Sequence, residues 1–258
     1  MPTRPARNPL ALFVALTFGF ALLIGGLASH AADEVAKDGK PLFNGKDLSG
    51  WKFKQEAGGK AWSVVGDVKL DPADPAKLAG SGQGGGEDKG VLLRGPFDHG
   101  SDIYSEQTFG DHELHVEFTV PKGSNSGVYL HGQYEIQVFD SFGKTEIGPG
   151  DLGSIYSVAV ARENAAKAPG EWQTLDVVFR APRFDSNGMK TQNAMFVLVK
   201  LNGKTIHENV EVQGATGGAL EGGEKAKGPL MFQGDHGIVA FRNIRVKEIA
   251  IRDQANSK

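Results

Sequence analysis

The sequence predicts an all-β fold, a two-sheet sandwich of jelly-roll type, on three observations. Short apolar/polar alternations recur along the chain, with the two-residue period of half-buried strands. Glycine accounts for 36 of 258 residues, roughly twice the usual share of about 7%, as a chain with many turns requires. Beyond residue 31 no segment carries the apolar stripe of a helix, and only 163–167 reads as a single helical turn. No internal repeat is present, which argues against a propeller.

In chain order, Trp62–Leu70 and Val91–Arg94 are expected as strands, separated by a loop over 71–90 rich in Asp, Pro, Gly and Ser. The clearest alternation is 112–120, where Leu114, Val116, Phe118 and Val120 face one way and His115, Glu117 and Thr119 the other. Segments 126–130, Tyr134–Phe139, 155–160, 172–179, 196–201 and 238–246 read likewise. Asn202-Gly203 between two alternating runs predicts a hairpin with a type I′ turn. Residues 214–228, rich in Gly and charged residues, are expected as a second loop. Neither loop separates segments long enough to fold alone, so residues 32–258 are expected to be a single domain.

The first 31 residues read as a secretory signal. Arg4 and Arg7 precede an apolar run over 10–27, and Ser29-His30-Ala31 offers small residues at a cleavage site. An uncleaved anchor is the alternative. With cleavage, the mature chain begins near Ala32, is periplasmic or secreted, and has no membrane attachment. Lys and Arg number 28 against 31 Asp and Glu, a net charge of −3. With no basic cluster, nucleic acid is not an expected partner. The absence of cysteine excludes disulfides, thiol nucleophiles, Cys-type zinc sites and a lipoprotein anchor. The glycine string over 80–86 lacks the Gly-Lys-Ser/Thr ending of a phosphate loop. His112-Glu113-Leu114-His115 is one residue short of a zincin motif and lies on a strand.

The polar residues over 110–140 carry the functional signal. Period two places Glu117 away from Val116 and Phe118, and places Glu135 and Gln137 together, opposite Ile136 and Val138. If these strands are neighbours, Glu117, His131, Glu135 and Gln137 line one surface. Two carboxylates, an imidazole and an amide are poorly suited to a core, where unpaired polar groups cost several kcal/mol, and well suited to sugar hydroxyls. The alternative is a solvated outer face.

The motifs occur in a distinctive order: Leu42-Phe43-Asn44-Gly45-Lys46-Asp47-Leu48-Ser49-Gly50-Trp51-Lys52, Gly110-Asp111-His112-Glu113-Leu114, Asn125-Ser126-Gly127-Val128-Tyr129-Leu130, Tyr134-Glu135-Ile136-Gln137-Val138, Gly170-Glu171-Trp172-Gln173-Thr174, Gln233-Gly234-Asp235-His236-Gly237 and Phe241-Arg242-Asn243-Ile244. This ordered set resembles the 3-keto-disaccharide hydrolase domain family over residues 41–249. The resemblance implies a concanavalin-like double-sheet jelly roll. It also implies a carbohydrate partner and cleavage of glycosides already oxidised at C3. A C3 ketone acidifies the C2 proton, and its removal lets the enolate expel the C1 substituent before water adds. That chemistry needs a base, an acid for the leaving oxygen and donors at the enolate.

On this reading Glu117, Glu135 and His131 are the candidate catalytic residues. Gln137, Asn125, Trp172, Gln233 and His236 are the candidate substrate-binding residues. Against these roles, Trp172 suits a core anchor at a strand start and Asn125 the shaping of its turn, and Arg242 is expected to pair with a carboxylate within the sheet. No cofactor is required. Glu117, His131, Glu135 and Asp140 are competent ligands for a divalent metal, but no spacing is diagnostic of one. A noncatalytic carbohydrate-binding module and an ordinary glycosidase, with two carboxylates flanking C1, are the competing functions. The sequence specifies neither oligomeric state nor leaving group.

Overall fold

The computed structural model describes Met1 and residues 38–87 and 89–252. The expected signal over 1–31 therefore lies outside the described residues, apart from Met1. Among the described residues no helix is long and apolar enough to cross a membrane.

The strands are β1 (Lys40–Pro41), β2 (Trp51–Phe53), β3 (Trp62–Leu70), β4 (Leu78–Gln83), β5 (Val91–Arg94), β6 (Ile103–Phe109), β7 (His112–Thr119), β8 (Asn125–Leu130), β9 (Tyr134–Phe139), β10 (Gln173–Arg180), β11 (Arg183–Phe184), β12 (Lys190–Gln192), β13 (Ala194–Leu201), β14 (Lys204–Val212), β15 (Gly228–Phe232) and β16 (Val239–Glu248). A nine-stranded sheet runs β14-β13-β10-β7-β16-β5-β3-β4, with β1 paired to β16. A five-stranded sheet runs β2-β6-β15-β8-β9. All pairings in both are antiparallel. The architecture is the two-sheet jelly-roll sandwich.

Alternation decides the facing. In β7 Leu114, Val116 and Phe118 are fully buried, while His115 and Glu117 are half-buried. In β9 Tyr134, Ile136 and Val138 point inward. The core between the sheets joins these to Phe179, Phe196, Phe232 and Phe241, with Phe232 stacked on Phe241 at 4.1 Å. A second apolar cluster, Val68, Leu78, Val91, Leu93 and Ala240, lies on the other face of the nine-stranded sheet. Asn202 and Gly203 take φ of 52° and 80°, the two positive values that a type I′ turn demands.

Three expectations differ from the structure, and one long strand, β6, was not expected at all. Leu78–Gln83 is an edge strand inside the expected first loop. Its residues after Leu78 are all exposed, so backbone pairing to β3 alone defines it. β6 went unseen because Ser105 and Gln107 interrupt its apolar alternation. Ser105 is buried, accepting from Leu230 N at 3.1 Å and donating to Gln107 O at 2.7 Å. Segment 155–160 is not a strand: Ile155 makes isolated bridges to Ile136 and Ala159, and Val158 and Val160 are exposed. Segment 163–167 forms no helical turn. Asn164 instead caps local carbonyls of Ser141 and Lys144, and Pro169 disfavours helix in the residue before it.

Candidate active site

The outward face of the five-stranded sheet carries two transverse rows of side chains. Strand register lines up Glu135, Tyr129, Met231, Tyr104 and Lys52, one from each strand. The adjacent outward row holds Gln137, directly opposite Gly127. It continues through Gln233, whose N–H donates to Gly127 O at 2.9 Å, and through Asp102 and Lys54, joined by Lys54 N to Asp102 O at 2.9 Å. A β-carbon at Gly127 would stand 2.2 Å from Glu135 Oε1 and displace the carboxylate. The missing side chain is the space into which the carboxylate leans.

Glu135 is 2% exposed, and its Oε1 has no hydrogen-bond partner. Burial pushes its pKa up to about 7. The Tyr129 hydroxyl and the nearby His236 pull it down, while Asp102 and Asp235 push it further up. Burial likewise raises the Tyr129 phenol, helped by Glu135. Asp102 is buried and also raised, chiefly by burial. It accepts from Lys54 Nζ at 3.1 Å and from Gly234 N at 3.0 Å. His236, on the exposed turn above, holds Asp235 through Nδ1 at 2.5 Å. Gln233 Oε1 and Asn125 Oδ1 are further buried acceptors without partners. Unpaired buried acceptors are costly, and hydroxyl donors from a ligand would satisfy them.

A strap over 214–220 crosses this face. Tyr129 donates its hydroxyl to Gly217 O at 2.9 Å, Lys54 Nζ donates to Gly218 O at 2.6 Å, and Gln133 Nε2 donates to Leu220 O at 2.9 Å. Thr216 Oγ1 accepts from the Glu135 backbone N–H at 3.0 Å. Glycine at 217 and 218 lets the strap lie close: a β-carbon on Gly218 would stand 2.6 Å from the Tyr129 hydroxyl.

Five of the eight expected site residues come together on this face: Glu135, Gln137, Asn125, Gln233 and His236. Three do not. Glu117 stands on β7 in the other sheet, across the core. Its carboxylate accepts from Arg242 Nε at 2.7 Å and Asn243 Nδ2 at 2.6 Å. The expectation that it shares a pocket with Glu135 is corrected: β7 and β9 are not neighbours. Trp172 belongs to that same distant face. The Arg242 guanidinium lies 3.9 Å over its ring, and the ring packs against the second apolar cluster. Arg242 has the expected structural pairing. His131 sits in the tight β8–β9 turn at φ 57° and turns its ring inward. The ring stacks on His112 at 5.8 Å and meets Phe179 edge-on at 5.0 Å, with Nε2 3.2 Å from Gly110 O. Burial lowers its pKa, so it is a neutral histidine of the core margin rather than a partner of Glu135.

Tyr129, Asp102 and Lys54 were missed. Tyr129 was legible, since alternation with the inward Val128 and Leu130 turns it outward beside Glu135. Asp102 and Lys54 flank β6 and β2, strands whose patterns are broken or too short to read. Among the described residues no three His, Asp or Glu side chains cluster closely enough to hold a metal ion. Glu117 lies on a different sheet from Glu135.

No curated protein matches the chain. Among solved structures, a provisionally assigned glycosyl hydrolase from Parabacteroides distasonis ATCC 8503 is 27% identical. The match covers 83% of this chain and 84% of that one, at a TM-score of 0.60. A second protein so described from the same organism is 19% identical over 84% of this chain and 97% of its own, at a TM-score of 0.50, a likeness of fold alone. The family model described as a 3-keto-alpha-glucoside-1,2-lyase-like domain matches residues 38–247. That span runs from just before β1 into β16 and includes every strand of both sheets, and the chain belongs to this 3-keto-α-glucoside-1,2-lyase-like family.

Proposed function

We propose that the protein cleaves glycosides whose sugar carries a ketone at C3, with Glu135 as the base that removes the C2 proton. Family membership and the glycosyl hydrolase neighbour support a carbohydrate-active protein. The single observation that carries the finer reading is the Glu135 carboxylate: buried, unpartnered at Oε1 and poised near pH 7. A base works best when its pKa lies near the working pH. The electron pair of the C2–H bond moves into the ring as an enolate, stabilised at O3 by a donor such as the Lys54 ammonium. The enolate then expels the C1 substituent, whose oxygen takes a proton from His236 held by Asp235. The products are the enone and the free leaving group, and addition of water to the enone completes hydrolysis.

The test is to incubate the protein with a 3-keto-disaccharide and with its unoxidised parent, and to follow release of the second sugar. Release from the oxidised form should be faster by at least about a hundredfold, since only the ketone acidifies C2. Equal rates would instead favour an ordinary glycosidase, and binding without cleavage a noncatalytic module.

We also propose export, from the basic and apolar pattern of the first 31 residues. Mass spectrometry of the protein from its native host should find the mature terminus near Ala32. Recovery of the intact Met1 form in the cytoplasm would count against it.

A further inference from the structure

On the same outward face, beside the strap, opens a cleft of about 590 Å³. Tyr104 and Pro229 rise into it from the sheet, with Lys52 from β2 and Lys54 just after that strand. Lys225 and Lys227 reach it from the loop before β15. Glu106 and Glu221 also border the cleft, so its lining carries four lysines against two glutamates, with Lys54 also paired to Asp102 and Lys227 to Glu248. Of these cations the mechanism above uses only Lys54.

We infer that the cleft is the leaving-group subsite and that it selects an acidic sugar, one bearing a carboxylate such as a hexuronate. Its assignment to the leaving group rests on the proposed C3-ketone chemistry; its preference for a carboxylate does not. Three observations carry the inference. Tyr104 stands in the same row as Glu135, three strands away, roughly 14 Å at ~4.8 Å per strand, with the strap and the buried Tyr129 and Met231 between them, a distance that a short oligosaccharide spans. An aromatic ring among polar groups is the usual support for a sugar face. The cations can also exchange partners. Lys52 meets Glu106 at 3.4 Å and Lys227 meets Glu248 at 3.3 Å, each pair more than half exposed, and such pairs hold so weakly that a ligand carboxylate displaces them at little cost. Lys225 is exposed at the rim. Flexible ammonium groups suit a carboxylate presented in more than one pose.

The experiment is calorimetric titration with two unoxidised disaccharides that differ only in the second ring, glucosyl-glucuronate and glucosyl-glucose. The acidic ligand is expected to bind roughly fivefold more tightly at low salt, with the gap closing near ~0.5 M salt. In a Lys52→Ala/Lys225→Ala protein, whose altered residues are exposed, the gap should vanish. Equal affinities in the unmutated protein at low salt would overturn the inference, and so would a gap that survives in the double variant. The 3-keto forms of the same pair should show the same preference in kcat/KM. If neither is cleaved while the binding gap holds, the ketone chemistry fails and the acidic-sugar cleft stands.

Discussion

Glu135→Gln is expected to lower kcat by roughly 10²- to 10⁴-fold, the scale of a lost general base, while the protein still folds. Glutamine keeps the shape that fills the space over Gly127 but cannot take a proton. Glu117→Gln supplies the contrast. Its carboxylate serves Arg242 and Asn243 on the opposite face of the sandwich. Turnover should therefore stay within about twofold, while stability falls by about 1–3 kcal/mol through weakened charge-assisted bonds. The pH profile provides a second readout. The Glu135 pKa is raised to about 7, and only the ionised form acts as a base. The kcat/KM should therefore climb as pH rises through about 7 and level off above it. Steady-state kinetics of the two variants on a 3-keto-disaccharide, alongside thermal melts, separates the roles. Full activity in Glu135→Gln would remove the residue from the mechanism.

The largest effect on stability is expected from the same substitution under acid, because two buried groups oppose each other there. His112 is buried against His131 and Phe179, and burial pushes its pKa from 6.5 down to about 4. Between these values the unfolded chain binds the extra proton, so stability is lost as pH falls from about 6.5 to 4. The loss is on the order of 3 kcal/mol at about 1.36 kcal/mol per unit. His131 is shifted in the same direction. Glu135 has the opposite sign. Its folded pKa of about 7 lies above the ordinary glutamate value of 4.5, so the folded state binds the extra proton, and stability is gained as pH falls from about 7 to 4.5. The two groups nearly cancel in the unmutated protein. Glu135→Gln removes the gain and should expose a steep loss between pH 6.5 and 4.5. His112→Phe, which keeps a ring in the stack, should show the reverse slope. Denaturant titrations at intervals of one pH unit would read both. Parallel profiles for Glu135→Gln and the unmutated chain would show that Glu135 does not shape the acid limb.

Local pattern made most of the fold legible. Period two in β7, β9, β10 and β16 was readable because each strand has one buried face, and the Asn202-Gly203 hairpin because two adjacent positive φ values strongly favour those residues. The strands that escaped lack that asymmetry: β4 is exposed along nearly all its length, β2 is three residues long, and β6 buries a hydrogen-bonded serine on its inward face in place of an apolar residue.

The candidate site divides along the same line. Glu135 and Gln137 were placed on one face by the geometry of a single strand, which needs no partner to define it. Tyr129 was equally placed and simply not read for its chemistry. Glu117 was assigned to its outward face for the same reason, and correctly. What the alternation could not say was which sheet that face belongs to. His131 was expected on the same surface as Glu135, but the inward direction of its ring depends on His112 and Phe179, which arrive from two strands of the other sheet. The sequence by itself determined the strands, their inward and outward faces and the polar character of Glu135 and Gln137, because those follow from contacts a few residues apart. Only the tertiary structure decided that β7 and β9 stand on opposite sides of one core, that Asp102 and Lys54 join Glu135, and that a strap crosses above them. Strand pairing is a choice among distant segments that satisfy the same alternation equally well, and it is made by packing the whole core rather than by any one strand's pattern.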